Sequence, residues 1–597
     1  MRASIVEFPS YDVGSKELKP VCTDDSIISL ARPELDRQPR FWTCLPLPET
    51  TVPRFWYPIS HSNTANNTNV SFINRGVGVV PQFNVASFRE CELIVRDIAR
   101  RYLEKFGYPN RLSRDDSLAG FKGKRKAVYE RCKTALDRLD RVPPNFASCE
   151  CFIKNEALDP IVKPNPDPRM IWGRDPHYNL EFARYLRPFE KKFLSMSFSD
   201  LTGHNSELPT FAKGRNSRER ASAIRKHWDS FGEGACAMSI DGSRWDMHIN
   251  EHALKLKCLF YSLLYPYDTY FHELLSYQFD TLCKTRNGLK AVVHARTKSG
   301  DMDTSLSANF LSLVYAVHYY QANRIPISIF DDGDDCLCFT QISNLSRLIS
   351  TLPEHYRLFG QETKIEKVSM EMEQIEHCHT MPLLITGTWR MARNPFRAIS
   401  HGGANCFPPN AGPGFKAAYY FAVSLGAFIE NRGVPILQRW ALRVIQLALG
   451  ECSSSVDVLR FIRDSKPHRV EEFLRECHSV GLKIDPVSGR VDSKFLLKPV
   501  VETDAARAMF QSQYQIGVEE QRSIESLYCH TLPPDISFEK IKLLPPLGIY
   551  DIDFKNSRRV QPEQWYQADT DTGFHLPNLL LDELGEQYPL NYNHLGI

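Results

Sequence analysis

At 597 residues, with 73 lysines and arginines against 71 aspartates and glutamates, the chain is too long for one hydrophobic core and has no global basic excess. A hydrophobic content of 42% and an aromatic content of 11% exclude a disordered or collagen-like chain. No run of 18 apolar residues offers a membrane span, and the stretch holding Glu7 and Asp12 lacks the apolar core of a signal peptide.

The 16 cysteines show no zinc-ribbon spacing and read as those of a reduced, intracellular protein. His377-Cys378-His379 has no companion C-x-x-C pair, which argues against zinc. If nucleic acid binds, its cations must be gathered into a channel.

Residues 1–60 are proline-rich and read as an extended strap. His61 to Gly78 is polar and rich in asparagine. Helical spacing of Leu93, Ile94, Ile98 and Leu103 predicts a helix over 86–107. Gly120 to Lys126 then brings Lys122, Lys124, Arg125 and Lys126 together at the entry to a helix that runs through Leu139. Such a cluster serves equally as a solvated face or as a ramp for phosphates.

In residues 149–193, Lys154, Lys163, Arg169 and Arg174 recur among prolines that deny the segment a helix, between apolar strand-like pieces. A preformed loop with spaced cations suits a triphosphate, arginine gripping with its planar fork and lysine adding a mobile charge.

Ala235 to Asp241 reads as a buried strand. Cys236, Met238 and Ile240 share one face, and Asp241 falls on the other. Asp246 follows at a strand-to-helix turn, and the next helix stops by Pro266. Asp241 can reach a metal, whereas Asp246 can face a ribose or cap the helix. Ser299-Gly300 then makes a flexible entry to a long helix through Tyr320. Leu306, Phe310, Leu313, Val314 and Val317 form its apolar face, and Ser305 and Asn309 lie on an adjacent stripe.

Ile325 to Phe339 is strand, tight turn and strand, with Asp331, Asp332, Asp334 and Asp335 crowded around Gly333. Taken alone, this turn is a solvated hairpin tip or a divalent-metal site. Beyond it come an amphipathic helix, a turn bearing Lys364 and Lys367, and a short hairpin with a basic tail that includes Arg390 and Arg393. Helical patterns cover Ala417 to Ile429 and Ile436 to Leu449. Residues from Tyr550 onward are rich in Asp, Glu, Asn and Pro.

The order of these elements resembles a viral RNA-dependent RNA polymerase. The cationic loop, Asp241-x4-Asp246, Ser299-Gly300-x3-Thr304-x4-Asn309, Gly333-Asp334-Asp335, the lysine turn and the hairpin stand in that family's sequence of motifs. Within it the chain looks closest to the tombusvirus-like positive-strand RNA viruses, through Pro168-Arg169-Met170-Ile171, Arg174 to Glu181, Arg184 to Glu190, Glu376 to Thr380 and Trp389 to Pro395. The likeness covers about residues 60–400. Two departures, His379 for a frequent Gln and Trp172-Gly173 in the cationic loop, adjoin no expected metal ligand in the sequence.

The resemblance implies an α+β right hand with an antiparallel palm sheet and a helical thumb. Residues 1–60 would be the strap, 61–234 the fingers, and 235–400 the palm, with a fingers segment at 266–297 interleaved. The thumb would cover 401–535 and a tail 536–597. Asp241, Asp334 and Asp335 would hold Mg²⁺, with Mn²⁺ as substitute. Lys364, or else Lys367, would protonate the leaving pyrophosphate. Lys154, Lys163, Arg169 and Arg174 would hold the triphosphate. Asp246, Ser299, Gly300, Thr304 and Asn309 would receive the nucleotide, Asp246 and Asn309 reading its 2′-hydroxyl. Lys122, Lys124, Arg125, Lys126, Arg390 and Arg393 would meet RNA. Asp331 and Asp332 match no ligand position and would only deepen the local negative field.

The implied partners are template and nascent RNA, nucleoside triphosphates and a membrane-anchored replicase protein, within the host cytoplasm. Reverse transcription, which shares the two-metal palm, and a non-catalytic RNA-binding role for a degenerate palm are the competing readings.

Overall fold

The computed structural model describes residues 2–22, 25–36, 40–47, 55–121, 123–139, 141–159, 164–204, 207–408, 410–451, 459, 470–479, 482–491, 496–528, 536–537 and 551–559. Lys122 and Lys163 lie outside these residues, as do the side chain of Lys124 and the acidic tail beyond residue 559.

Four strands form a central antiparallel sheet in the spatial order Thr363–Ser369, Ala235–Gly242, Asp335–Gln341, Ser328–Asp331. The strand Ala235–Gly242 is buried almost throughout, as a strand with both neighbours paired and both faces covered must be. Its period-two alternation sorts the two faces. Cys236, Met238 and Ile240 join Cys336 and Cys338 in the largest core. Ala237, Leu337 and Phe339 pack with Phe330 against Ile224 of the helix Ser217–Phe231.

The helix Thr304–Asn323 backs the first face. Every residue from Leu306 to Tyr319 is buried, so it is enclosed all round rather than along one apolar face with a polar stripe beside it. Its polar side chains survive burial because they are bonded: Asn309 donates to the Ser305 carbonyl at 2.7 Å and Ser312 to Asp331 at 3.1 Å.

A five-stranded sheet runs in the order Ser26–Ser29, Lys290–His294, Asp280–Thr285, Cys149–Ile153, Met170–Arg174. The hairpin over residues 280–294, though it lies between the central-sheet elements in sequence, belongs to this second sheet. A third sheet runs Ala404–Asn405, Phe41–Cys44, Arg2–Pro9, Asp551–Arg559. Residues 1–60 therefore add strands to two different sheets and cross between them.

The asparagine-rich stretch is mostly helical. It forms the helix Ala65–Phe72 and one further turn to Val77. Asn67 accepts from the Val13 N–H at 3.0 Å and donates to the Tyr11 carbonyl at 2.9 Å. Asn69 accepts from Ala31 N–H and Asn74 from Lys19 N–H, both at 2.9 Å. These amides replace missing strand partners and hold the strap down.

Predicted helices fall close to their expected bounds, at Val85–Phe106, Gly123–Leu139, Pro413–Glu430 and Leu437–Glu451. The last two pack together in a separate core built on Tyr420, Phe428, Trp440 and Phe510. No helix among the described residues is long and apolar enough to cross a membrane.

Candidate active site

The register of the central sheet places Asp335 directly opposite Asp241, and Asp241 directly opposite Lys364. Cross-strand partners share a face, with Cβ atoms about 4.5–5.5 Å apart, so the three side chains form one row across three strands. The acidic turn is fastened beside that row: Gly242 N–H donates to the Asp334 carbonyl at 2.9 Å, and Asp332 N–H to the Asp335 carbonyl at 3.0 Å. Gly333 has φ +96°, and a Cβ there would stand 3.1 Å from the Ala308 Cβ and 3.8 Å from the Asn309 amide nitrogen. A left-handed residue without a side chain is what lets the turn lie on the helix.

The carboxylates raise one another's pKa. Burial, then repulsion from Asp334 and Asp241, pushes Asp335 up to about 6. Burial, then Asp334, pushes Asp246 up to about 7. Asp334 is exposed at the tip yet crowded by protein, and loss of water followed by Asp241 raises it as well. Asp246 thus lies in the field of Asp334. It does not cap its helix, where Arg244 is the N-cap residue with φ +52°. Among the described residues no three His, Cys, Asp or Glu side chains close into a metal cage. Asp241, Asp335 and Asp334 are instead an open set of oxygen donors. That set suits a hard cation that keeps waters and takes its remaining ligands from a phosphate, and the raised pKa values record charge that such a cation would neutralise.

The four aspartates of the turn part company. Asp331 is fully buried on the helix side of the sheet, and burial pushes its pKa well above the carboxylate range. Asp332 is bound to Arg220 at 2.6 Å. Asp332 still deepens the negative field as expected, raising Asp334 despite its pairing with Arg220, whereas Asp331 is turned into the core.

The cationic loop divides in the same way. Lys154 and Arg169 both approach Glu156, at 2.9 and 3.5 Å, and Lys154 N–H donates to the Arg169 carbonyl at 2.7 Å. Arg169 is exposed and its charge reaches both Asp246 and Asp334. Arg174 does not stand in the channel. Its guanidinium is enclosed and grips Asp301 twice, at 2.6 and 3.1 Å, over the Tyr178 ring. Its donors are spent on holding the Ser299–Gly300 loop against the fold.

That loop is fixed rather than flexible. Ser299 Oγ accepts from Trp172 N–H at 3.1 Å, Gly300 N–H donates to the Trp172 carbonyl at 3.0 Å, and Asn179 donates to the Gly300 carbonyl at 3.0 Å. A Cβ on Gly300 would run into the Trp172 carbonyl, and Gly173 is close beside it. The unusual Trp172-Gly173 pair is the surface on which this loop rests. Thr304 donates to the carbonyls of Lys298 and Asp301 at 2.9 and 3.0 Å. Asn309 is wholly buried, and its Oδ1 has no hydrogen-bond partner.

Arg125 and Lys126 are exposed on their helix, and Arg393 is exposed at the end of the strand Thr388–Arg393. Arg390 is not on a surface. It is buried, donates to the Glu430 carbonyl at 2.7 Å, and burial followed by Arg218 and Arg432 pushes its pKa down to about 10. His379 lies close enough to Asp335 to offset part of that carboxyl's shift.

Sequence reasoning missed several residues at the site. Arg75 is half-buried, and loss of water followed by Arg169 and Arg244 brings its pKa down to about 10. Arg244 reaches Asp167 at 3.6 Å, and Lys16 of the strap reaches the same carboxylate at 3.0 Å. The spacing between Asp241 and Asp246 framed Arg244 without assigning it a role. Nothing local marked Arg75 or Lys16.

Residues 58–448 match the family model described as viral RNA dependent RNA polymerase. The chain is 30% identical over 345 residues to the RNA-directed RNA polymerase of Cymbidium ringspot virus, covering 57% of this chain and 41% of that protein. It is 29% identical over 345 residues to that of Tomato bushy stunt virus (strain Cherry), with the same two coverages. To that of Tobacco necrosis virus (strain D) it is 28% identical over 362 residues, 59% of this chain and 49% of the relative. The chain thus spans about two-fifths to a half of these relatives' length.

Proposed function

This chain belongs to the viral RNA-dependent RNA polymerase family, and from that premise we propose that it copies an RNA template into RNA from ribonucleoside triphosphates for a positive-strand RNA virus. The observation that carries the reading is the row Asp335, Asp241 and Lys364, with the turn of Asp334 fastened beside it. In the corresponding right hand, the central sheet is the palm, the five-stranded sheet with the 280–294 hairpin belongs to the fingers, and the helices after residue 412 are the thumb.

Asp241 and Asp335, with Asp334, fit divalent cations, Mg²⁺ or Mn²⁺, through oxygen donors alone. Bound there, the cations would lower the pKa of the 3′-hydroxyl and offset the charge of the pyrophosphate. The remaining work falls to side chains. Arg169 and Lys154, with Arg75 and Arg244 behind them, draw the triphosphate toward the row. Asn309 and Asp246 would read the ribose 2′-hydroxyl. Lys364, opposite Asp241, is placed to give a proton to the departing pyrophosphate. Arg125, Lys126 and Arg393 would meet RNA.

Primer extension on an RNA template with labelled NTPs or dNTPs and Mg²⁺ tests the reading. RNA product supports it. DNA product would make the chain a reverse transcriptase, and absence of any product would leave only RNA binding. Association with host membranes through an anchored partner is part of the same proposal. A flotation assay in which the isolated chain floats with protein-free vesicles would contradict that part.

A further inference from the structure

We propose that Asp331 is a positioning residue that sets the acidic turn, and with it Asp334, against the helix that carries Asn309. The inference rests on the polymerase reading above.

Asp331 ends the strand Ser328–Asp331, opposite Cys336 on the core face of the sheet. Its Oδ1 accepts from Ser312 Oγ at 3.1 Å and from Gly333 N–H at 3.3 Å. Its own backbone is held from the far side, its N–H donating to the Thr210 carbonyl at 2.9 Å and its carbonyl accepting from Ala212 N–H at 2.7 Å. One residue thus joins three elements, its carboxyl reaching the helix Thr304–Asn323 and the turn, and its backbone the 210–212 segment.

The two attachments of the turn to that helix are about one helical turn apart. Gly333 presses on Ala308 and Asn309, and Asp331 is tied to Ser312. A single contact would leave the turn free to pivot. Two contacts so spaced fix its height and its tilt, and Asp334 is the next residue along.

The bonds need a hydrogen-bonding group of this shape, not a charge. Oδ2 has no hydrogen-bond partner and the residue is 0% exposed, surroundings in which a carboxyl keeps its proton. Asp332, its neighbour in sequence, spends its charge on Arg220. Asparagine at position 331 is therefore the nearest neutral replacement, since its amide oxygen accepts the same two bonds.

The test compares Asp331→Asn, Asp331→Ala and Ser312→Ala in the full chain by primer extension, reading kcat, KM for NTP, the Mg²⁺ midpoint and the NTP-to-dNTP ratio. Asp331→Asn should stay within about threefold of the parent. Asp331→Ala should lose about 10- to 100-fold in kcat, the scale of a misplacement near 1 Å, with a raised Mg²⁺ midpoint and little change in KM. Ser312→Ala should move the same quantities in the same direction, and adding it to Asp331→Ala should cost nothing more. A folded Asp331→Ala with parental kcat and Mg²⁺ midpoint overturns the proposal, as does an asparagine variant as impaired as the alanine one. Should Asp331→Ala not fold, Ser312→Ala with a parental Mg²⁺ midpoint overturns it. An inactive parent chain would instead sink the polymerase reading.

Discussion

Lys364 and Asp241 face each other across neighbouring strands, and Asp335 flanks Asp241 on its other side. A lysine in that row is an unusual neighbour for the proposed cation ligands unless it has a task in the reaction. Lys364→Leu should lower kcat about 10²- to 10⁴-fold, the range of a lost general acid, with NTP binding little changed and the solvent isotope effect on kcat reduced. Rapid-quench kinetics would decide it. An unaltered kcat would free Lys364 from the role and turn attention to Lys367, which burial keeps below its usual pKa.

Asp241→Ala and Asp334→Ala should each reduce incorporation by at least about 10²-fold, as expected when a preorganised charge is removed from the reacting centre. Both should keep the parental circular dichroism spectrum and RNA affinity, because these residues support no core packing. Full activity in either variant would show that the row is not the reacting centre.

The pH dependence has a definite sign. The folded pKa values of Asp335 and Asp246 lie above the ordinary aspartate value of 3.8, at about 6 and about 7. The folded chain therefore binds protons more tightly than the unfolded one. Their contribution to stability is complete below about pH 4 and is lost as pH rises through 6 to 7. A divalent cation competes with those protons, so Mg²⁺ should raise the thermal midpoint more at pH 8 than at pH 5.5. Differential scanning fluorimetry checks this. An equal Mg²⁺ effect at both values would mean that these carboxyls do not face the cation.

Arg169 and Arg174 look alike in sequence and should fail differently. Arg169→Ala should raise KM for NTP with the thermal midpoint kept. Arg174→Ala would leave Asp301 buried and unpaired, a change that costs about 3–5 kcal/mol, so it should lower the thermal midpoint first. Measuring KM and midpoint for both separates them. A stable Arg174→Ala with raised KM would return Arg174 to the channel.

Asn309→Ala should narrow the preference for NTP over dNTP while leaving extension with NTP largely intact. Competition assays with matched ribo- and deoxynucleotides read the ratio directly, and an unchanged ratio would remove Asn309 from sugar recognition.

The elements carrying Asp241, Asn309 and Asp334 were legible because their signals are local: alternation on strands, helical spacing, glycine at a turn. Their mutual register was not. Nothing in the sequence near Lys364 says that it pairs with a residue more than a hundred positions earlier. Arg174 was misread for the same reason, since its partner Asp301 is 127 residues away. Arg390 carried the sign of an RNA contact, yet the helices after residue 412 bury it. The asparagines of the Ala65–Phe72 helix received no role from the sequence, because their partners are backbone groups of a strap that contributes no pattern of its own.

The strap also bears on how the chain is made. Glu7 lies beside Lys416 at 3.4 Å and Arg559 at 3.5 Å, and Arg559 is 552 residues further along. On a ribosome adding about 5–20 residues per second, the strand Arg2–Pro9 waits on the order of half a minute or longer for its neighbour Asp551–Arg559 to be synthesised. The four strands of the central sheet are all made by Ser369 and can pair in the meantime. The row of Asp335, Asp241 and Lys364 would thus be formed before the third sheet is complete, and joining that sheet is a late, long-range step in folding.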